Sequence, residues 1–284
     1  MRIAVTGATG FVGRRLCEVA QARGHTVVPL GRSEGRRWSP ETEPAPLADV
    51  DAVVHLAGEP VAEGRWTKAK KARIRDSRVL GTRQVVAGLA GSPAKVLVSA
   101  SAIGLYGNRG DEELTEASAP GDDFLARTCL EWEAEARKAP VRTALLRIGI
   151  VLGPGGGALG KMLTPFKLGV GGRLGDGRQW MSWVHRDDLV GLILHAVETD
   201  GVDGPLLATA PNPVRNAEFT KALGRALGRW TILPMPRWQV RLIFGEVADV
   251  LCGSQRCRPE RTLASGYAFR FPDLDAALQE ILKA

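Results

Sequence analysis

The first residues whose types and spacing could do chemistry are three glycines, Gly7, Gly10 and Gly13, in the run Met1-Arg-Ile-Ala-Val-Thr6-Gly7-Ala-Thr-Gly10-Phe-Val-Gly13. Backbone without Cβ atoms turns sharply and lets a ligand come close. Leu16, Val19 and Ala20 then recur at helical spacing. Phe11 therefore opens a helix whose unpaired N–H groups and positive dipole end favour a phosphate. The apolar run Ile3 to Val5 before the turn reads as a buried strand. A bare glycine triplet means little, but strand, glycine turn and helix in that order mark a dinucleotide turn. In it Gly7, Thr9, Gly10, Phe11, Val12 and Gly13 would lie against the ligand. The alternative is a tight turn that binds nothing.

A second set of residues bears on which dinucleotide. After an expected strand, His25 to Leu30, comes Gly31-Arg32-Ser33. An acidic side chain at this place would hydrogen-bond a ribose 2′-hydroxyl and repel a 2′-phosphate. Gly31 leaves room, and Arg32 offers a planar cationic fork suited to a phosphate. The expectation is NADP(H) rather than NAD(H). Ala57 and Gly58 end the next expected strand without bulk, permitting close approach of the same ligand. Arg78 falls on the apolar stripe of a helix, four residues after Ile74. An inward arginine needs a partner: either the cofactor's phosphates or ribose, or a buried carboxylate.

Groups able to move a proton or shape a pocket are fewer. Ser101 follows a buried strand. Tyr106 lies nearby and has a structural alternative. His185 titrates near neutrality, yet could equally be a packed residue ahead of Asp187 as a helix cap. Trp180 and Trp183 flank Ser182 and are either walls of a small-molecule cleft or plain core between lobes. Cys129 has no identifiable base near it and is set aside as a nucleophile.

The elements that must position these groups alternate. Strands are expected over 51–57, 94–99 and 141–148, with a stub near Leu47, and helices over 66–90, 122–137, 187–198, 216–227, 238–251 and 273–282. Such alternation implies α/β architecture with a doubly wound parallel (Rossmann) sheet. The run Gly153-Pro-Gly-Gly-Gly157 marks a change of character and the start of a smaller C-terminal α/β lobe. The expected division is a cofactor-binding domain over 1–150, with a segment near 184–210 returning to it, and a mixed region over 151–284.

The chain has 284 residues, 38 Lys and Arg against 31 Asp and Glu, and a formal charge of +7. Much of the excess crowds between Arg65 and Arg83. No nucleic-acid motif or stacking aromatics accompany it, so a solvated helix face is favoured over a nucleic-acid footprint. No apolar run reaches the ~20 residues that span a bilayer, and the amino terminus reads as a strand rather than a signal peptide. Cys17, Cys129, Cys252 and Cys257 are scattered, without a CxxC. That implies reduced thiols, a cytoplasmic setting and no metal site.

Several stretches carry a family resemblance. Thr6 to Gly13, His55-Leu-Ala-Gly58, Arg78-Val-Leu-Gly-Thr82 and Leu105-Tyr-Gly107 resemble the extended short-chain dehydrogenases, the superfamily of sugar-nucleotide epimerases. Arg65-Trp-Thr, Asp76-Ser-Arg78, Arg147 to Gly157, Trp180 to Asp188 and Ala208 to Pro213 narrow the likeness to the "epimerase family" branch of atypical members. The resemblance implies a C-terminal domain of unknown function and NADPH as cofactor; some members carry the label of cell-division inhibitor. It also exposes a departure. Short-chain dehydrogenases use a tyrosine, a lysine four residues later and a serine. No Tyr-x-x-x-Lys exists in this chain. With Glu133 taken as the motif's trailing glutamate, Leu125 and Cys129 fill the tyrosine and lysine places, and Ser101 best matches the serine.

The expected function is that of an NADP(H)-binding oxidoreductase acting on a small molecule, as monomer or homodimer, with Ser101, His185 or water as proton source. A non-catalytic NADPH sensor or scaffold is the alternative. A sugar-nucleotide epimerase ranks third.

Overall fold

The computed structural model describes residues 1–32, 35–231 and 233–283; Ser33, beside the cofactor-selecting Arg32, lies outside them. Strand β1 (Arg2–Thr6) passes through the glycine turn into α1 (Phe11–Ala22). Then come β2 (Thr26–Gly31), a two-residue β3 (Arg36–Arg37), β4 (Ala52–His55), α2 (Lys68–Leu89) and β5 (Val96–Ala102). A 3₁₀ turn at Ile103–Tyr106 and β6 (Glu113–Leu114) precede α3 (Phe124–Ala136) and β7 (Arg142–Ile148). After β8 (Ile150–Leu152), α4 (Gly157–Lys167), β9 (Trp180–Met181) and β10 (Trp183–His185), the chain forms α5 (Arg186–Glu198) and β11 (Gly204–Ala208). The remainder is β12 (Val214–Arg215), α6 (Asn216–Leu227), α7 (Arg237–Phe244), α8 (Val247–Leu251), β13 (Arg256–Cys257), α9 (Glu260–Ala264) and α10 (Leu274–Lys283).

Seven strands make one parallel sheet in the order β11-β7-β5-β4-β1-β2-β3. The chain starts in β1, winds outward to β3, then crosses back to β4 and winds the other way. That reversal places a crevice at the carboxyl ends of β1 and β4. The register sets Thr6 beside His55, so the glycine turn and the Leu56–Gly58 segment leave the sheet side by side.

Both faces of the sheet are covered, which explains why its strands read as unbroken apolar runs. Ile3 and Val5 face a cluster with Leu16 and Ala20 of α1 and Leu189, Leu192 and Ile193 of α5. Ala4, Val53, Leu97 and Leu145 point the opposite way, toward Val85 and Leu89 of α2. A third cluster joins Leu159 of α4, Phe219 and Leu223 of α6, and Leu274, Leu278 and Ile281 of α10. Segment 183–208 supplies α5 and β11 to the first of these clusters.

Three elements depart from expectation. Leu47 is fully buried but sits in a loop; the outermost strand is instead formed by Arg36 and Arg37 pairing with Leu30 and Gly31. The single helix expected over 238–251 is two helices, broken at Gly245, whose φ of +63° no helix accommodates. Helix α4 grows out of the glycine run with Pro165 inside it, a composition that hides a helix from propensity arguments.

The basic stretch between Arg65 and Arg83 is largely neutralised within the fold. Lys70 and Arg73 pair with Glu59, Lys71 with Glu246, Arg75 with Asp76 and Glu131, and Arg83 with Glu135.

Helix α1 docks on the turn through Gly13. A Cβ there would stand 2.1 Å from the Gly7 carbonyl oxygen, and backbone on both sides cannot give way. Gly13→Ala should therefore lower the free energy of unfolding by about 2–3 kcal/mol. Gly160→Ala, where a Cβ meets nothing within 4 Å, should be neutral or stabilising by up to about 1 kcal/mol. Urea unfolding of the two variants checks this; equal effects would contradict the stated contact.

Candidate functional site

The glycine turn is built for close approach. Gly7 adopts φ +68°, and a Cβ on it would lie 3.0 Å from the Ala57 nitrogen. Gly10 donates to the Gly7 carbonyl at 3.0 Å and stands as the extended N-cap of α1. No side chain caps this helix and no acid occupies its first turn. The leading N–H groups, at Phe11, Val12 and Gly13, are thus left to an external acceptor, with Ala8 and Thr9 forming the bend before them. The Gly153–Gly157 run folds over the turn. Cβ atoms on Gly156 and Gly157 would come within 3.0 and 2.7 Å of the Phe11 ring. Arg186 stacks on the same ring at 5.1 Å and donates to the Pro154 carbonyl. Sequence reading took this run for a lobe boundary. Its glycine density, beyond what a boundary needs, was the available sign that backbone meets an aromatic ring there.

Beneath the turn lies a buried polar chain. Thr6 Oγ1 accepts from the backbone N–H groups of Leu56 and Ala57 at 3.1 and 3.2 Å. Its own hydrogen therefore goes to His55 Nδ1, 2.7 Å away. His55 Nε2 then carries the ring proton and donates to Thr82 Oγ1 at 3.0 Å. One neutral imidazole so ties β1, β4 and α2 together. Complete burial, with the Arg78 charge adding, pushes its pKa down to about 4.

At the carboxyl ends of the strands opens a cavity of about 580 Å³. Its walls include Gly104, Leu125, Cys129, Met162, Trp180 and Val250. Leu125 and Cys129, the residues aligned with the missing tyrosine and lysine, both face it. Leu125 packs on Gly104, where a Cβ would be 3.4 Å from its own. Burial pushes the Cys129 thiol up to about 12. Neither residue at the tyrosine and lysine places therefore ionises near neutral pH.

The expected catalytic side chains are placed elsewhere. Ser101 lies within β5, not beyond it, and donates to Glu133 Oε1 at 2.8 Å rather than into the cavity. The Tyr106 hydroxyl donates to the Thr115 carbonyl and accepts from Arg147, and burial raises its pKa. His185 is itself the cap of α5: its Nδ1 accepts from the Asp187 N–H while Nε2 meets Glu280 Oε2 at 2.9 Å. Asp187, expected as that cap, binds Arg15 instead. None of Ser101, Tyr106 and His185 lines the cavity, and each is hydrogen-bonded within the fold. Trp180 does line the cavity, held by Asp111 and flanked by Arg215 and Arg256. Trp183 does not; it is fully buried in the C-terminal core.

Arg78 also lines the cavity, beside Gly58, where a Cβ would be 3.3 Å from its guanidinium carbon. No carboxylate pairs with it among the described residues. It donates to the carbonyls of Glu59 and Ile74 and lies over the Trp132 ring at 5.2 Å. Arg32 follows Gly31 at the end of β2, 70% exposed and paired with Glu41. Glu133, which the sequence offers only as the motif's trailing glutamate, takes a bidentate ion pair from Arg147 at 2.8 and 3.0 Å. Burial opposes its ionisation, but Arg147 outweighs burial and holds the carboxyl below its usual range. This pair fixes α3, and with it Leu125 and Cys129, against β5 and β7.

Comparison with known proteins agrees with this geometry. Residues 3–206 match the NAD dependent epimerase/dehydratase family, and residues 235–281 match a domain of unknown function, DUF1731. The chain belongs to that epimerase/dehydratase family. It is 40% identical to the human epimerase family protein SDR39U1 over 99% of this chain and 100% of that one. Identity is again 40% with epimerase family protein MT2273 of Mycobacterium tuberculosis, over 97% and 96%. The crystal structure of human SDR39U1 (isoform 2) with NADPH superposes with a TM-score of 0.95 at 39% identity, covering 100% of this chain and 99% of that one. A nucleoside-diphosphate sugar epimerase from Corynebacterium glutamicum gives 0.83 at 38% identity, over 99% of this chain and 58% of that one.

The His55 chain makes stability pH-dependent. The unfolded histidine binds a proton near pH 6.5, whereas the folded one resists until about 4. Its contribution is complete above pH 6.5 and is lost as pH falls from there toward 4, by up to about 3 kcal/mol. Urea unfolding at pH 7.5 and 5.0 should show the loss in the wild type, and a smaller loss in His55→Gln. An equal loss in both would refute the assignment.

Proposed function

We propose that this member of the epimerase/dehydratase family binds NADP(H) and carries out hydride transfer with a small, largely apolar substrate. The observation that carries the proposal is a single arrangement: an uncapped, glycine-led helix start at the switch point of the sheet is joined, through the Gly153–Gly157 run, to a substrate-sized cavity at the carboxyl ends of β5 and β7. The NADPH bound by the human relative supports the choice of cofactor. Gly7, Thr9, Gly10, Phe11, Val12 and Gly13 would hold the pyrophosphate, and Phe11 would be pinned over it by the Gly153–Gly157 run. Arg32, beside Gly31, would hold the 2′-phosphate after leaving Glu41. Ala57, Gly58 and Arg78 would flank the cofactor along the crevice. Bound NADPH supplies a hydride.

This chain's own residues would then orient the substrate rather than move protons. Leu125, Cys129 and Ile150 form a dry wall. Trp180 and Met181 face the cavity from the C-terminal lobe. The proton that balances hydride transfer to a carbonyl or olefin would come from water. A sugar-nucleotide substrate fits less well, because a diphosphate needs cations able to reach it. Arg78 is held by carbonyls, and Arg237 shares Asp249 with Arg241.

One observation favours a second reading, a non-catalytic NADPH sensor or scaffold. Ser101, Tyr106 and His185 all commit their polar atoms to the fold.

Cofactor binding is common to both readings, and turnover separates them. NADPH should raise the melting temperature more than NADH does. Arg32→Asp should weaken NADPH binding about tenfold or more while leaving NADH nearly unchanged; an unchanged NADPH affinity would remove Arg32 from the site. Purified protein should consume NADPH when offered a panel of carbonyl and enone compounds, and Trp180→Ala should lower that rate. Cofactor-dependent melting without turnover on any compound would favour the sensor.

A further inference from the structure

We propose that the face built from α7 and the segments around Leu168 and Trp230 seats the protein on an anionic bilayer surface. Two independent features converge there. The first is exposed apolar bulk. Trp230 is 82% exposed, Leu168 72%, Leu242 67% and Trp238 66%. Val170, Leu233 and Ile243 are exposed as well. Helix α7 turns Val240 inward and leaves Trp238, Leu242 and Ile243 outside. The segments carrying Val170 and Leu233 run together, with Met235 N–H donating to the Arg173 carbonyl and Gly175 N–H to that of Met235, both at 2.9 Å.

The second feature is uncompensated positive charge. A groove of about 840 Å³ runs over the small residues Ala217 and Gly224 of α6. Arg173, Lys221, Arg225, Arg229 and Trp230 line it, and no carboxylate does. Arg225 reaches Asp275 at 2.8 Å; among the described residues Arg173, Lys221 and Arg229 have no acidic partner. Arg237 and Arg241 on α7 share one carboxylate, Asp249.

A bilayer with anionic headgroups meets both features at once. Phosphates would occupy the basic groove, the two tryptophans would lie at headgroup level, and Leu168, Leu242 and Ile243 would enter the acyl boundary. A second copy would satisfy the apolar part only. A two-fold interface sets a patch against itself, so Arg173, Lys221 and Arg229 would face their own like charges. A nucleic acid would satisfy the charges but leave the aliphatic residues in water. Arg237 on α7 and Val250 on α8 also line the 580 Å³ cavity, so docking would bring that cavity to the lipid surface.

Vesicle flotation of the full-length protein tests the proposal. Phosphatidylcholine vesicles containing phosphatidylglycerol should bind it, pure phosphatidylcholine much less, and added salt should weaken binding. The double variant Arg173→Glu/Arg229→Glu should lose at least about tenfold in affinity. Trp230→Ala/Trp238→Ala should lose a comparable factor, and both variants should keep the wild-type thermal shift with NADPH. Absence of binding to anionic vesicles would overturn the proposal. So would binding unaffected by either variant. A lipid-free dimer that Trp238→Ala dissociates in sedimentation velocity would assign the face to a second copy and equally overturn it.

Discussion

Everything in the site depends on one steric contact, the meeting of Gly13 with the carbonyl of Gly7. Only a residue without Cβ lets α1 start so close to the end of β1. That closeness points the uncapped first turn into the crevice at the sheet's reversal, where the strand order provides an opening. The Thr6–His55–Thr82 chain then fixes the second wall of the crevice to the first. Because its hydrogen bonds are satisfied only with a neutral imidazole, the link is strongest at the pH where the turn would hold a multiply charged ligand. Local backbone permissiveness, buried hydrogen bonding and sheet topology thus serve one purpose, a rigid cradle for an anion.

The cavity beside that cradle has a different character. Leu125 and Cys129 occupy places where related enzymes carry a proton-transfer pair, and neither changes charge near neutrality. Polar groups exist close by, but the fold uses them. Ser101 supports Glu133, Tyr106 supports Arg147, and His185 caps α5. The buried Glu133–Arg147 pair organises this region, and removing either member would strand a charge in the interior.

Much of this was legible in the residue order, for identifiable reasons. The inner strands β1, β4, β5 and β7 announced themselves because both their faces are buried. The glycine turn was readable because its spacing is dictated by contact with backbone. Helix α6 was found at its observed bounds, since amphipathic period and the trailing Gly228 agree. What escaped notice depends on distant partners. Nothing local says that the Gly153–Gly157 run covers Phe11, that Ser101 faces Glu133, or that His185 finds Glu280. A polar residue at a strand end looks alike whether it serves a substrate or a neighbouring helix. The break at Gly245 was equally hidden, because apolar spacing runs straight through it.

The central claim is that the amides opening α1 hold a dinucleotide's phosphates under the Gly153–Gly157 cover. Hydrogen–deuterium exchange with and without saturating NADPH tests it most directly. Slower exchange concentrated at Phe11–Arg14 and at Gly155–Ala158 is the predicted result. Unchanged exchange at those amides, with NADPH shown to be present in excess, would contradict the account.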